Sequence, residues 1–245
     1  MANSDLLISP SLVVIDLDNT LYDYEPANAR GLDALVNYLC AELRLERPDV
    51  HFRYKQARLA VKQRLGAVAS AHSRILYLQE LFALLQLGCH ASTILQAEQA
   101  YWGAFIRGIQ PMDGVVEFLL KCRSRNIPIV VATNLTSSVQ LRKVIRLDIE
   151  TLIDDLISSE QVGIDKGNDE MFKFVLSRWP VHSRKYVWFI GDEPHDVPSI
   201  PHLIQEGTIE DGVGWIRSHT DNREFVRRFT DFRHLIEMIR RTDDL

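Results

Sequence analysis

The chain has 245 residues, 46% hydrophobic and 25% charged, proportions that suit a folded protein with a sizeable core and exclude a disordered one. A formal net charge of -5 supplies no general attraction for nucleic acid, so no nucleic-acid partner is expected. No apolar run approaches the roughly 18 residues of a membrane span, and the first residues carry no basic-then-apolar leader. The three cysteines, Cys40, Cys89 and Cys122, lack CxxC or Cys/His ligand spacing. The expectation is a cytoplasmic protein with inert, reduced thiols and no membrane partner. Nothing in the chain reads as a signal for oligomeric state.

Residues 12–15, LVVI, read as a strand buried on both faces, as in a parallel sheet. Asp16 and Asp18 follow. Residues two apart in a strand point the same way, so both carboxylates can share the crevice at the strand's carboxyl end, where open α/β sheets hold ligands. Two carboxylates facing one pocket repel unless a cation or a shared proton settles them. The pair thus suggests a metal site, an acid/base couple, or both. The plain alternative is a strand running into an Asp/Asn turn, with Asn19 and Thr20 as turn or N-cap residues.

Residues 24–108 are far too long for a strand-to-helix loop of about 2–6 residues, and they carry helical periodicity. Leu32, Leu35, Val36, Leu39 and Leu43 form one face. Phe52, Ala57 and Val61 suggest a shorter helix, Ile75, Leu78, Leu81, Phe82 and Leu85 a third, and Ile94, Ala97, Tyr101 and Phe105 a fourth. Pro48 and Gly88 fit as breaks between them. An inserted helical subdomain at this rim would act as a lid or specificity cap; the alternative is that it only enlarges the core. His72, Arg74 and Tyr77 lie close together on one of its helices, either to read a substrate or as a solvated face.

Four more β-rich runs follow: 127–134 (IPIVVATN), 152–160 (LIDDLISSE, the weakest), 186–192 (YVWFIGD) and 212–217 (GVGWIR). Three helical faces separate most of them: Val115, Val116, Leu119 and Leu120; Val139, Leu141, Val144 and Ile145; Met171, Phe172, Val175 and Leu176. Strands alternating with helices predict a doubly wound, Rossmann-like α/β core with a parallel sheet. The predicted division is a core of residues 1–23 and 109–245 and a helical cap of residues 24–108.

The later strand ends are polar. Thr133 and Asn134 precede a helix start at Ser137-Ser138, where a hydroxyl and free N–H groups suit an anionic oxygen. Lys166 lies between Asp165 and Asp169, as a solvated ion pair or as a compact charge for phosphate. In GDEPHD, Gly191 allows close backbone approach, and Asp192 and Asp196 offer hard oxygens of the kind Mg²⁺ prefers. His195 has no second His or Cys at ligand spacing and reads as a surface residue.

In order and placement, DLDNT (residues 16–20), VVATN with Thr133, DKGNDEMF with Lys166 and GDEPHD with Asp192 and Asp196 resemble the four signature motifs of the haloacid dehalogenase (HAD) superfamily. The helical insert resembles the cap of its subfamily I. Two departures stand out: Gly167 follows Lys166 where relatives commonly have proline, and VPSIPHLI after Asp196 lacks the usual small-residue pattern. The resemblance implies that Asp16 is a nucleophile forming an aspartyl-phosphate, and that Asp18 protonates the leaving alcohol and then deprotonates water. It further implies that Thr133, Asn134 and Lys166 hold phosphoryl oxygens. Mg²⁺ would be bound by the Asp16 carboxylate, the Asp18 backbone carbonyl and Asp192, with Asp196 orienting ligands from beside them. Because a halide needs no proton and an alkoxide does, Asp18 favours a phosphatase over a dehalogenase. The implied activity is Mg²⁺-dependent hydrolysis of a small phosphorylated metabolite, a sugar phosphate or nucleoside monophosphate. The rivals are a phosphomutase and a non-catalytic binding protein.

Overall fold

The computed structural model describes residues 9–88, 90–167, 169–217 and 221–241; Cys89 lies outside them. Six strands, β1 Leu12–Ile15, β2 Ile129–Thr133, β3 Asp155–Ser158, β4 Tyr186–Gly191, β5 Asp211–Arg217 and β6 Val226–Phe229, form one sheet in the order β3-β2-β1-β4-β5-β6. Every pairing is parallel. β1 is central, with Val14 in register between Val130 and Phe189. From β1 the chain winds outward through β2 and β3, then returns to β4 on the other side. That reversal opens a crevice at the carboxyl ends of β1 and β4.

The continuous apolar runs work because both sheet faces are covered. Alternation sends Val13 and Ile15 into one apolar cluster and Leu12 and Val14 into the other. The second cluster is closed by Phe172 and Val175 of α8 (Asp169–Ser177) and by Ile200 and Leu203 of α9 (Ile200–Gln205). The first is closed by α5 (Val115–Ser124), α6 (Ser137–Arg146) and α10 (Phe232–Arg241). The inserted segment forms α1 (Tyr24–Leu43), α2 (Arg47–Leu65), α3 (Arg74–Leu84) and α4 (Ala91–Arg107), with α1 packed on α4 and α2 on α3. Its apolar residues join the first cluster through Leu17, Tyr22 and Phe105, so helices and sheet share one continuous core. None of the described helices is long and apolar enough to cross a membrane. Cys40 and Cys122 are free, and burial pushes the Cys122 thiol up to about 12.

Several local expectations need correction. α2 runs 19 residues, and its buried face is Val50, Tyr54, Ala57 and Val61, while Phe52 is 60% exposed on the opposite side. Pro48 sits in its first turn, where a missing N–H is harmless, rather than in a break. In α5 the buried face runs through Phe118 and Cys122, and Leu120 turns outward. In α6 Leu141 and Ile145 are 50% and 62% exposed, whereas Gln140 and Lys143 are buried beside Val139 and Val144. The run at 152–160 is a strand only at Asp155–Ser158; Leu152 closes a single 3₁₀ turn, and Ser159 opens α7 (Ser159–Val162). β6, with the sequence VRRF, was not expected at all. Its two arginines are exposed, as befits an edge strand.

Gly214 in β5 lies tight against the segment after β4: a Cβ there would sit 2.4 Å from Val197 Cγ1. Gly214→Ala should therefore destabilise the fold by about 1–3 kcal/mol through overpacking. Adding Val197→Ala should return part of that loss. Chemical denaturation measures both, and an unchanged midpoint for the single variant would refute the packing.

Candidate active site

The backbone N–H of Asp16 donates to Ile190 O at 2.8 Å, carrying the β1–β4 ladder one step past the strand. Asn19 then adopts φ 62°, the left-handed region that asparagine tolerates better than most residues. Its Oδ1 accepts the N–H of Tyr24, which starts α1. This sharp exit leaves Asp16 buried at the strand tip. Thr20, also buried, donates its hydroxyl to Asp16 Oδ2 at 3.0 Å and lies 3.4 Å from Asp192 Oδ1. It lies in the turn after β1 and is at the same time a partner of the acids.

Three other segments converge there. At the end of β2, Thr133 Oγ1 accepts from Gln140 Nε2 at 2.5 Å, and Gln140 also holds Asn134 O at 2.7 Å. Asn134 Oδ1 accepts the backbone N–H of Lys166 at 2.8 Å, tying the loop after β2 to the loop before α8. Buried Lys166 donates to Asp16 Oδ1 and, at 2.5 Å, to Asp196 Oδ1. Gly167 beside it has φ 135°, a backbone that proline's ring excludes. At the end of β4, a Cβ on Gly191 would lie 2.1 Å from Asp196 Cβ, so only glycine lets the loop fold back. Asp196 Oδ2 there accepts the N–H groups of Asp192 and Glu193 at 3.2 and 2.9 Å.

Carboxylate oxygens of Asp16, Asp192 and Asp196 lie within 4.8 Å of one another. Burial pushes the Asp16 carboxyl up to about 8, against the pull of Lys166 and with a push from Asp196 and Asp18. Burial likewise raises Asp192 to about 6, helped by Asp196 and Glu193. For Asp196 the burial effect is outweighed by Lys166, which holds it below the usual carboxylate range. Burial would lower Lys166, but Asp16 and Asp196 outweigh it and raise it. Three carboxylates against one ammonium leave surplus negative charge on hard oxygens, a donor set that suits a divalent cation.

Asp18 has partners of its own. Lys143 Nζ donates to both its oxygens, at 2.7 and 2.8 Å, and the Tyr22 hydroxyl donates to Oδ1 at 2.5 Å. Neither Lys143 nor Tyr22 was singled out from the sequence. The signal available was that Gln140 and Lys143 lie on the same helical row as buried Val139 and Val144.

A cavity of about 270 Å³ joins these groups. Asp16, Asp18, Thr133, Asn134, Lys166 and Asp192 line it from the sheet side, with Asp196 beside them. Tyr24, Glu25, His72, Arg74 and Trp102 line it from the inserted segment. His72 Nε2 pairs with Asp165 Oδ2 at 2.8 Å. Arg74, 8% exposed, donates to the hydroxyls of Tyr24 and Tyr101 at 2.8 and 2.6 Å and to His72 O. Its guanidinium lies over the rings of Tyr101, Trp102 and Tyr77. No ion pair among the described residues involves Arg74, and its Nε has no partner. Tyr77 is not on this cavity; its hydroxyl donates to Ala71 O at 2.6 Å, and its ring flanks Arg74. His195, expected at the surface, is half-exposed and lies on the cavity rim, 3.8 Å from Asp196.

Comparison with known proteins matches residues 10–202 to the haloacid dehalogenase-like hydrolase family. The chain is 31% identical over 183 residues to ribulose-1,5-bisphosphate 5-phosphatase of Halopiger xanaduensis, covering 74% of this chain and 76% of that one. The fold is similar to that of 2-haloacid dehalogenase from Pseudomonas syringae, with a TM-score of 0.67 at 19% identity over 96% and 99% of the two chains. It is also similar to the magnesium-bound HAD-hydrolase YfnB of Bacillus subtilis, with a TM-score of 0.66 at 19% identity over 95% and 99%. The match takes in all four strand-end segments that build the cavity, and the chain belongs to the haloacid dehalogenase-like hydrolases.

Proposed function

We propose that the chain is a Mg²⁺-dependent phosphatase of small sugar phosphates, with residues 1–23 and 109–245 as the catalytic core and residues 24–108 as the cap. The observation that carries this reading is a second acid, Asp18, on the same cavity as the buried, lysine-paired Asp16. Hydrolysis of an alkyl phosphate needs both a nucleophile and a proton for the leaving alkoxide. The relative that acts on ribulose-1,5-bisphosphate supports the sugar-phosphate class.

An Asp16 oxygen attacks phosphorus, the bond to the substrate alcohol breaks, and Asp18 gives the departing oxygen its proton. Water then attacks the aspartyl-phosphate, Asp18 takes a proton from that water, and Asp16 is released with inorganic phosphate. Thr133, Asn134 and Lys166 hold phosphoryl oxygens, and Lys166 also steadies the charge on Asp16. Asp16, Asp192 and the Asp18 backbone carbonyl would hold Mg²⁺, with Asp196 keeping Lys166 and the loop after β4 in place. The cation supplies the neutralisation that lets one anion approach another.

Arg74 sharpens the substrate class. A buried guanidinium with no ion-pair partner among the described residues, on the same cavity as the nucleophile, favours a substrate with a second anionic group. His72 stands beside it, and Tyr77 acts by packing on Arg74 rather than by contact with substrate.

Asp16→Asn, or removal of the metal by chelator, should abolish phosphate release from any ester the protein hydrolyses; retained turnover by the Asn variant would refute the mechanism. Arg74→Met should raise KM at least about tenfold for a sugar bisphosphate, the equivalent of one lost charge-assisted hydrogen bond. The same variant should leave an aryl phosphate, which has no second anionic group, nearly unaffected, and steady-state kinetics on both substrates tests this. A third expectation concerns pH. Asp16 and Asp192 both titrate above the ordinary 3.8 in the folded chain, so without metal the folded state binds more protons than the unfolded one. Their contribution to stability is full below about pH 4, falls as pH rises, and levels off above about 8. Mg²⁺ should therefore raise the melting temperature more at pH 8 than at pH 5. Equal shifts at the two pH values would contradict it.

A further inference from the structure

Lys143 lies in the last turn of α6, and its side chain is completely buried. An ammonium sealed from water needs a partner, and Lys143 finds it in both oxygens of Asp18. Two bonds from one side and the Tyr22 hydroxyl on Oδ1 leave the carboxylate little freedom to rotate. Four rings wall the ammonium in: Tyr22 at 5.7 Å, Tyr24 at 6.0 Å, Trp102 at 5.8 Å and Phe105 at 5.3 Å from ring centroids. Tyr24 opens α1, and Trp102 and Phe105 belong to α4, so three walls come from the inserted helices. Lys143 itself does not line the cavity that holds Asp16, so it does not reach a substrate there. Whatever it does for the reaction passes through Asp18. A buried ion pair adds little stability over an apolar pair of similar size. A packing role alone therefore gives no reason for lysine at this position.

We propose that Lys143 is the positioning residue for Asp18. With the Tyr22 hydroxyl it fixes the direction in which the proton carrier faces the leaving group, and the aromatic wall makes that direction depend on the docking of α1 and α4. This rests on the phosphatase reading above. It follows that Lys143 matters in proportion to how much the leaving group needs a proton. An alkoxide depends on a well-aimed acid, and a weakly basic nitrophenolate does not.

The test uses the full chain with Mg²⁺ and compares kcat/KM for glycerol 1-phosphate and 4-nitrophenyl phosphate. Because kcat/KM reports the free-energy gap from free enzyme and ester to the transition state, the comparison isolates bond cleavage to the leaving group. Lys143→Met should lower kcat/KM for the alkyl ester by about 100-fold, the low end of what a positioned acid contributes, while changing the nitrophenyl ester little. Lys143→Arg should recover part of the loss, since a guanidinium also makes two bonds to a carboxylate. In an Asp18→Asn background, Lys143→Met should add no further loss, the non-additivity expected of residues acting as one unit. Tyr22→Phe, which keeps the ring and removes one bond to Asp18, should show the same selectivity in smaller measure and carries the test if Lys143→Met does not fold. Equal losses on the two esters, or a full further loss in the Asp18→Asn background, would overturn the assignment. A wild-type chain that hydrolysed neither these esters nor a sugar phosphate would instead overturn the phosphatase reading.

Discussion

The ammonium of Lys166 is the contact on which the candidate site depends. It bridges Asp16 at the tip of β1 and Asp196 after β4, while its backbone N–H is held by Asn134 after β2. One residue from the loop before α8 thus ties three strand ends together. Without that charge, two buried carboxylates and a half-buried third would face one another in a space too small for their repulsion. Burial strengthens the attraction and the repulsion alike, which is why Asp196 titrates below the usual carboxylate range while Asp16 and Asp192 titrate above it.

The two acids of the DLDNT segment are separated by the same means. Asp16 belongs to Lys166, and Asp18 belongs to Lys143 and Tyr22. Two residues apart in sequence, they are drawn to different lysines from different elements. This separation gives one cavity two carboxylates with distinct surroundings, the condition for distinct roles as nucleophile and proton carrier.

Much of the fold was legible because a strand covered on both faces needs an unbroken apolar run, and β1, β2, β4 and β5 all have one. β6 was not, since VRRF at an exposed edge has no such need. The inserted helices were legible as helices, but their faces less so. Phe52 and Ile145 show that an apolar side chain is not always buried, and Gln140 and Lys143 show that a polar one is not always exposed. The motif residues stood out by order along the chain, Thr20 of DLDNT among them. Tyr22 and Lys143 did not, because their roles arise only from tertiary neighbours: a lysine 125 residues from Asp18 carries no spacing signal of its own. Arg74 was visible as a candidate, but its burial among Tyr24, Tyr77, Tyr101 and Trp102 could emerge only in three dimensions.

The continuous apolar core has a further consequence for how such a protein can diversify. The inserted helices do not sit on a finished surface; Leu17, Tyr22 and Phe105 are shared between them and the sheet. A foreign insert grafted at residues 24–108 would have to supply mates for Leu17 and Tyr22 and rebuild the wall around Lys143. The inserted segment is therefore not a detachable module. Drift toward a new ligand is constrained to positions such as His72 and Glu25, which line the cavity and lie outside the shared core.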